Sequence, residues 1–278
     1  LGKAVAAIAP SAQSAGHYAL LANKLPPRGL KKICAPTTSG TGSETTRTAI
    51  LTRDDHAKVW LWGDEIKADE VVLDPELTVS LPASLTAATG IDALVHAVEA
   101  ATNRNSNPAA DLFAHEAIRL VGRHLLSAIE NPGDLSARQA LQWAAAYGGV
   151  AIDNCGTAIA HALGHAMGSL RPIHHGRAVG VAMLASLPWN VEGNGAFDAC
   201  AADLGGERSA AGFIAAYEKL LRATGVKLSI ADEFSGVSAA ELAAQTARPE
   251  NGAMRSSNRR QASEDDLLAL AKAVLAVA

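Results

Sequence analysis

Histidine and carboxylate side chains cluster in two stretches of the 278-residue chain. Four of its nine histidines fall between His161 and His175. Upstream, Asp92 and His96 are four residues apart, a spacing that puts both side chains on one helix face, about 5–6 Å apart at Cβ. Imidazole plus carboxylate is a usual ligand set for a divalent metal that keeps one position open for substrate. We therefore expect the two stretches to close on one metal ion.

The histidine-rich stretch leaves open which of its members bind. His161 and His165 repeat the four-residue spacing on a second predicted helix, and His175 follows a proline that frees the backbone to turn it inward. Gly164 and Gly168 each weaken that helix by roughly 1 kcal/mol relative to alanine, which suggests close packing or a bound group nearby. The alternative interpretation is a local carboxylate–imidazole hydrogen bond on the first helix and satisfied core histidines on the second.

A loop of hydroxyl residues and glycines follows the apolar run from Lys32 to Pro36, which we predict to be a short buried strand. The loop reads Thr37-Thr-Ser-Gly-Thr-Gly-Ser-Glu44. Small residues after a strand expose backbone N–H groups that can hold a phosphate or pyrophosphate. The loop matches neither the GxGxxG nor the P-loop pattern, so a plain surface loop is the competing interpretation.

Composition excludes several classes of protein. With 49% hydrophobic and 19% charged residues the chain is globular. A formal net charge of −4, without a block of basic residues, gives no field for nucleic acid. Its three cysteines, Cys34, Cys155 and Cys200, show no CxxC spacing, which is typical of a reducing compartment. We expect a cytoplasmic protein with no nucleic-acid partner and no membrane span.

The predicted elements divide the chain near residue 80. Ahead of that point we predict helices at 3–8 and 15–24 and strands at 32–36, 46–52, 58–62 and 71–73. Behind it we predict helices at 83–102, 134–149, 154–169, 176–187, 208–224, 237–246 and 264–277. A further helix is predicted to begin after Asn107, its N-cap residue. A capping box of Ser263 and Asp266 opens the last helix. Residues 248–260 are predicted to form a surface loop.

Together these motifs resemble the iron-containing (group III, metal-dependent) alcohol dehydrogenase family. The matching stretches are Pro36 to Glu44, Asp74-Pro75, Thr89 to Glu99 (Thr-Gly-Ile-Asp-Ala-Leu-Val-His-Ala-Val-Glu) and His161 to Gly176. Their order and separations fit the family across nearly the whole chain. The resemblance implies an α/β plus all-α chain with a dehydroquinate synthase-like fold. Residues 1–80 would be a truncated Rossmann-like dinucleotide-binding domain, and residues 81–278 a helical metal-binding domain.

The resemblance also implies roles for the clustered side chains. The four metal ligands would be Asp92, His96, His161 and His175. His165 matches a histidine that lies near substrate and nicotinamide, whereas His174 matches no ligand. The metal is typically Fe²⁺, with Zn²⁺ in some members, and the order of metal affinities does not favour iron.

The implied activity is alcohol oxidation or aldehyde reduction with NAD or NADP. The metal acts as a Lewis acid on the alcohol oxygen, and a hydride passes between the carbon and the nicotinamide. His165 could relay the hydroxyl proton. The partners expected are a small alcohol or aldehyde and a second copy of the chain in a dimer. The residues that resemble dinucleotide contacts are Thr37, Thr38, Gly40, Thr41, Thr48 and Lys58.

One departure from the family concerns the start of the chain. Gly2-Lys3-Ala4 resembles the helix that follows the family's Gly-Gly-Gly-Ser turn, and neither that turn nor the portion before it is in this sequence. That portion carries the main pyrophosphate contact in the family. We therefore expect the metal site to form and nicotinamide binding to be impaired, which a titration of NADH fluorescence would test.

Three other functions compete with this prediction. One is a glycerol-dehydrogenase-like or maleylacetate-reductase-like oxidoreductase of the same superfamily. Another is a metal-dependent hydrolase or lyase that needs no dinucleotide. The last is a metal-binding fragment without catalytic activity. The sequence does not identify the substrate.

Overall fold

The computed structural model describes residues 1–27 and 29–278, and its strands are short and paired two by two. They are β1 (Ile33–Cys34), β2 (Thr48–Thr52), β3 (Lys58–Trp62) and β4 (Glu70–Val71). Strand β1 is parallel to β4, with Ile33 opposite Glu70. Strand β2 is antiparallel to β3, with Thr48 opposite Trp62. The β2–β3 ribbon confirms the two strands predicted around the polar turn, except that β2 begins two residues later than predicted.

The prediction of a buried strand at residues 32–36 is wrong. Only Ile33 and Cys34 form β1, and Ile33 is 58% exposed. Within the described residues β1 has a single neighbouring strand, and a parallel strand is buried on both faces only where other elements cover it. The last predicted strand is also shorter than expected, because β4 ends at Val71.

Helices make up most of the rest of the chain. In chain order, α1 to α12 are Gly2–Ile8, Ala15–Tyr18, Ala83–Thr102, Pro108–Glu130, Leu135–Cys155, Ile159–Leu170, His175–Asn190, Ala196–Asp203, Ala210–Ala223, Ala239–Ala247, Gly252–Ser257 and Glu264–Leu275. Short 3₁₀ turns cover 19–21, 64–66, 75–78 and 249–251. Among the described residues, no helix has both the length and the apolar character needed to cross a membrane.

The capping predictions are confirmed. The side chain of Asn107 accepts a hydrogen bond from the Ala110 N–H at 3.1 Å. Asn107 is thus the N-cap residue of α4. Ser263 and Asp266 form a reciprocal capping box at the start of α12. These local signals identify helix starts because each side-chain oxygen satisfies an N–H that the helix itself leaves unpaired.

Several predicted boundaries are wrong, and tertiary packing explains the clearest case. The helix expected to end at residue 149 continues as α5 to Cys155, through Gly148 and Gly149. A Cβ on Gly149 would overlap the side chain of Thr45 and the carbonyl of Gly42. The glycines are therefore contact points for a neighbouring segment, and their weak helix propensity does not end the helix.

The predicted surface loop at residues 248–260 is also wrong. It contains α11, and Met254 and Asn258 are 8% and 2% exposed. The helix predicted at 15–24 ends at Tyr18, and Leu20 and Leu21 have positive φ angles that no α-helix continues through. Helix α8 was not predicted.

The main hydrophobic core surrounds α3. Every residue of α3 from Thr86 to Thr102 is buried, and the helix packs against α4, α5, α7 and α8. A helix buried on all sides is normally apolar all round. Helix α3 nevertheless carries Asp92, His96 and Glu99, whose burial costs free energy unless each side chain has a partner. Buried polar residues on this core helix therefore indicate a functional site on α3.

Candidate metal centre and adjoining cavity

One carboxylate oxygen lies at the meeting point of three imidazoles. Oδ1 of Asp92 is 4.0 Å from Nε2 of His96, 3.7 Å from Nε2 of His161 and 3.4 Å from Nε2 of His175. Two atoms that each lie about 2.1 Å from one ion can be at most about 4.2 Å apart. All three distances satisfy that limit, so the structure brings together the four side chains that the resemblance implied as ligands.

The cluster is tightest for three of its four members. One ligand atom each from Asp92, His96 and His161 lies within 4.8 Å of the others, and all three residues are buried. His175 is outside that group, and its side chain is 40% exposed. It therefore stands at the open side of the cluster, where a substrate would approach.

The hydrogen-bonding state of the cluster is suited to a bound cation. Oδ1 of Asp92 and Nε2 of His161 are buried, and neither has a hydrogen-bond partner among the described residues. Leaving a buried polar atom unsatisfied costs about 1–3 kcal/mol, and such atoms are rare. Nitrogen and carboxylate oxygen donors are those that Fe²⁺ and Zn²⁺ accept. The residues present therefore fit a divalent transition metal.

Three helices bring the four side chains together. Asp92 and His96 are one turn apart on α3, His161 is in the first turn of α6, and His175 is the first residue of α7. A Cβ on Gly176 would overlap the backbone carbonyl of Ala88 in α3. Only glycine at this position lets the start of α7 come close enough to place His175 beside Asp92.

A second carboxylate holds one of the imidazoles. Oε2 of Glu99 is 2.6 Å from Nδ1 of His161. The same oxygen accepts the N–H of Ala158 at 2.6 Å, and Oε1 accepts those of Ala160 at 2.7 Å and His161 at 3.3 Å. Glu99 is 1% exposed. This carboxylate therefore contacts both the ring of His161 and the first turn of α6.

Burial and neighbouring charges move the pKa values of the cluster in different directions. Burial raises the pKa of Asp92, but the charges of His96, His175 and His161 outweigh it and hold that pKa below its usual range. Burial lowers the pKa of His96 to about 4, against the attraction of Asp92. Burial also lowers the pKa of His161. The charges and hydrogen bonds of Glu99 and Asp92 outweigh burial and raise that pKa to about 9. Near neutral pH His161 is thus the charged partner of the two carboxylates.

His165 lies beside the cluster and not within it. It is one turn beyond His161 on α6, and its ring centre is 5.3 Å from that of His175 and 6.3 Å from that of His161. Burial, followed by the charges of His175 and His161, lowers the pKa of His165 well below its usual value. Its ring is therefore neutral at neutral pH. His174 precedes α7 as its N-cap residue.

A cavity of about 1400 Å³ opens from the cluster toward the strands. Its wall includes Asp92, His96, His161, His165, His174 and His175. It also includes three of the residues predicted to contact a dinucleotide, Thr41, Thr48 and Lys58. The other three, Thr37, Thr38 and Gly40, are not part of this wall, and Gly40 packs against Thr89 of α3. The cavity is large enough for a substrate and an extended cofactor.

The hydroxyl-rich loop is seated on α5. Gly42 has a φ of +56°, and a Cβ there would overlap the carbonyl of Ala145. Oγ1 of Thr45 donates to the carbonyl of Ala146 at 3.0 Å. Close backbone contact on one side thus leaves the other side of the loop, with Thr41, facing the cavity.

Two family profiles together match nearly the whole chain. The profile described as "Iron-containing alcohol dehydrogenase" matches residues 1–75. The profile described as "Fe-containing alcohol dehydrogenase family, C-terminal" matches residues 86–275. The chain belongs to the iron-containing alcohol dehydrogenase family.

Curated relatives of this family member are dehydrogenases. Long-chain-alcohol dehydrogenase 1 of Geobacillus thermodenitrificans is 42% identical over 180 residues, which are 64% of this chain and 45% of the relative. NAD-dependent methanol dehydrogenase of Bacillus methanolicus is 39% identical over 145 residues, 52% of this chain and 38% of the relative. The chain thus matches less than half the length of these two proteins.

A solved structure of the family shares the fold. An alcohol dehydrogenase from an archaeal halo-thermophile of a Red Sea brine pool is similar with a TM-score of 0.91 and 25% sequence identity. The likeness covers 98% of this chain and 73% of that one. It confirms the predicted fold class, a Rossmann-like part followed by a helical part.

Sequence reasoning missed two residues that position the site of this family member. One is Glu99, to which the family resemblance gave no role of its own. Its position seven residues after Asp92, two helical turns along one face of α3, was a usable signal. Lys3 donates from Nζ to the carbonyl of Thr46 at 2.6 Å and also to that of Ser43, and so holds the end of the hydroxyl-rich loop. Nothing in the sequence links a lysine near the start to that loop.

Proposed function

We propose that this family member is a metal-dependent alcohol dehydrogenase, or aldehyde reductase in the reverse direction, that uses NAD or NADP. The observation that carries the proposal is the cluster of one carboxylate and three imidazoles on the wall of a cavity also lined by the hydroxyl-rich loop. One site can thus receive a metal, a substrate and a dinucleotide together. Residues 1–80 would contribute the dinucleotide side of this cavity, and residues 81–278 the metal side.

Asp92, His96, His161 and His175 would hold the metal. When bound, the metal supplies Lewis acidity toward a substrate oxygen, and the nicotinamide supplies a hydride acceptor or donor. We propose Fe²⁺ as the metal, with Zn²⁺ as a substitute, because the same donor atoms accept both. The Bacillus methanolicus relative is named an NAD-dependent enzyme, which supports NAD as the dinucleotide.

The remaining polar residues of the site would orient the ligands. Thr41, Thr48 and Lys58 face the cavity and can donate hydrogen bonds to a dinucleotide. In the structure, Nζ of Lys58 donates to Oγ1 of Thr52 at 2.7 Å. Thr37, Thr38 and Gly40 would act by shaping the loop, whose backbone N–H groups can hold phosphate oxygens.

His165 would take up or release the proton of the substrate hydroxyl. Its ring is neutral, borders the cavity and has a buried Nδ1 without a partner among residues 1–27 and 29–278. A neutral imidazole has one nitrogen that can accept a proton. Replacing His165 by alanine should leave the metal content unchanged and alter the pH–rate profile. An unchanged profile in a protein that keeps its metal would exclude this role.

We also propose a cytoplasmic location and a homodimer. The free state of Cys34, Cys155 and Cys200 supports a reducing compartment. The dimer is proposed from the family resemblance. The molar mass measured by sedimentation in analytical ultracentrifugation tests it.

The deciding experiment combines metal analysis with an activity panel. The purified full chain is loaded with Fe²⁺ or Zn²⁺ and assayed with primary alcohols, diols and aldehydes, each with NAD and NADP. We expect one bound metal per chain and turnover that a chelator abolishes. A titration of NADH fluorescence separates weak cofactor binding from a defective metal site. The control, Asp92→Asn, should bind NADH like the unmodified chain and lose its metal.

Two outcomes would contradict the proposal. Bound metal without oxidation or reduction of any substrate, at saturating cofactor, would indicate a metal-binding protein that lacks catalytic activity. Metal-dependent cleavage of an ester or phosphate without NAD or NADP would indicate a hydrolase.

A further inference from the structure

We propose that Glu99 is a positioning residue, which fixes the ring of His161 so that Nε2 faces the metal site. The inference rests on the proposed metal-dependent function and deepens it. It assigns a role to a carboxylate that lies outside the cavity wall and whose nearest contact with the site is a single imidazole.

The contacts of Glu99 leave its carboxylate no freedom. Four N–H groups point at its two oxygens: Nδ1 of His161 and the backbone N–H groups of Ala158, Ala160 and His161. Three of the four contacts are 2.6–2.7 Å long. A carboxylate that is ionised only accepts hydrogen bonds, so four donors and two oxygens form a complete set. At 1% exposure no water competes for these positions.

This arrangement decides which nitrogen of His161 remains available. Because Glu99 accepts at Nδ1, that nitrogen keeps its hydrogen. Nε2 is the nitrogen whose lone pair binds a cation once the metal has displaced the Nε2 proton. Nε2 lies 3.7 Å from Oδ1 of Asp92, and both atoms are buried without hydrogen-bond partners among the described residues. The ring is thus held from one side and left open on the other.

The same carboxylate places the helix that carries His161. Helix α6 has twelve residues, and the N–H groups of its first turn have no partners within the helix. Glu99 accepts two of them, at Ala160 and His161, and a carboxylate at this end is favoured by the helix dipole. Glu99 therefore ties the start of α6 to α3, and with it the distance between His161 and Asp92.

Asn258 offers a matched control for the structural part of this role. Its Oδ1 accepts the N–H of Ile159, in the same turn of α6, at 3.4 Å. Its side chain also donates to Oδ1 of Asn190 at 2.9 Å. It is 2% exposed and has no hydrogen bond with His161. Asn258→Ala should therefore weaken the start of α6 without releasing the ring of His161.

The experiment measures the affinity of the full chain for Co²⁺, followed by visible absorption in competition with a chelator. Glu99→Gln keeps the volume but must turn its NH₂ toward a backbone N–H or toward Nδ1. We expect its affinity for Co²⁺ to fall about 10–100-fold, the range for residues that orient metal ligands, with a changed absorption spectrum. Asn258→Ala should lose thermal stability and keep its affinity within about twofold.

A double-mutant cycle shows whether Glu99 acts through His161. In a His161→Gln background, Glu99→Gln should change the affinity for Co²⁺ by less than about twofold. If Glu99→Gln does not fold, Glu99→Asp keeps the charge and shortens the reach, and its affinity should fall less steeply but still more than that of Asn258→Ala. Unchanged affinity in a folded Glu99 variant overturns this inference alone. An unmodified chain that binds no Co²⁺ overturns the proposed function as well.

Discussion

Oδ1 of Asp92 shows how much of the site depends on single atoms. It is surrounded by three imidazole nitrogens at 3.4–4.0 Å, and none of them is placed to donate a hydrogen bond to it. A buried carboxylate is costly without such neighbours, and the charges of the histidines hold its pKa low. The spacing of Asp92 and His96 was readable from the sequence. The choice of His161 and His175 over His165 and His174 was not, since it depends on which direction each ring faces.

Lys3 provides a prediction for the dependence of stability on pH. Burial lowers its pKa to about 8 from the ordinary 10.5. Between these two values the folded protein has lost the proton and the unfolded chain still binds it, so the free energy of unfolding rises with pH. Below about pH 8 both states are protonated, and Lys3 adds no pH dependence.

The comparison with Lys3→Met isolates this contribution. Relative to the variant, the unmodified chain should gain about 3 kcal/mol in its free energy of unfolding between about pH 8 and 10.5. Urea unfolding at several pH values measures it, and groups common to both proteins cancel in the difference. A difference between the two proteins that stays constant over this range would show that Lys3 keeps an ordinary pKa.

At the scale of elements, helix starts that carry a side-chain cap were predictable, whereas boundaries that depend on distant segments were not. Asn107 and Ser263 mark helix starts by side-chain hydrogen bonds to nearby backbone, which is local chemistry. The continuation of α5 through Gly148 and Gly149, and the burial of α11, depend on segments far away in the sequence. Periodicity of a single sequence carries no information on such neighbours.

Gly176 should be intolerant of any side chain. A Cβ there would overlap the carbonyl of Ala88 and push the start of α7 away from α3. Gly176→Ala should lower the free energy of unfolding by about 1–3 kcal/mol and weaken metal binding by moving His175. Urea unfolding and metal analysis measure both effects.

Gly252→Ala is the control for the glycine-to-alanine change itself. Gly252 begins α11 with helical angles, and a Cβ there meets no atom of the described residues within 4 Å. This variant should be more stable by about 0.4–1 kcal/mol and should bind metal normally. Equal effects of the two substitutions would contradict the close contact of α7 with α3.

At the scale of the whole molecule, the cluster links three helices of the main core. A metal bound to Asp92, His96, His161 and His175 would stabilise only the folded chain, because the unfolded chain does not hold these groups together. At a free metal concentration of about 100 times Kd, the gain is about 2.7 kcal/mol. For a chain of 278 residues we expect Tm to rise by about 5 °C.

Thermal unfolding with and without a chelator tests this linkage. The rise in Tm should increase with metal concentration and be absent in Asp92→Asn. A Tm that rises equally in the variant would place the stabilising ion elsewhere on the molecule.

The division near residue 80 was predictable, because short strands ahead of it and long alanine-rich helices behind it follow from composition and period. The Rossmann-like fold class came from the family resemblance. The cavity was not predictable, because its wall combines β2, β3, α3, α5, α6 and α7. Residues such as Thr48 and His165 lie far apart in the sequence and line one cavity only after both parts of the chain have folded.

The distance along the chain between Asp92 and His175 also sets the order of events during synthesis. At about 5–20 residues per second, Asp92 leaves the ribosome on the order of ten seconds before the last of its three imidazole neighbours. During that interval a nascent chain holds a partial set of donors, open to whichever cation reaches it first. For the metal site proposed above, selection of the cation in the cell would depend on timing as well as on affinity, and the start of α7 would complete the ligand set.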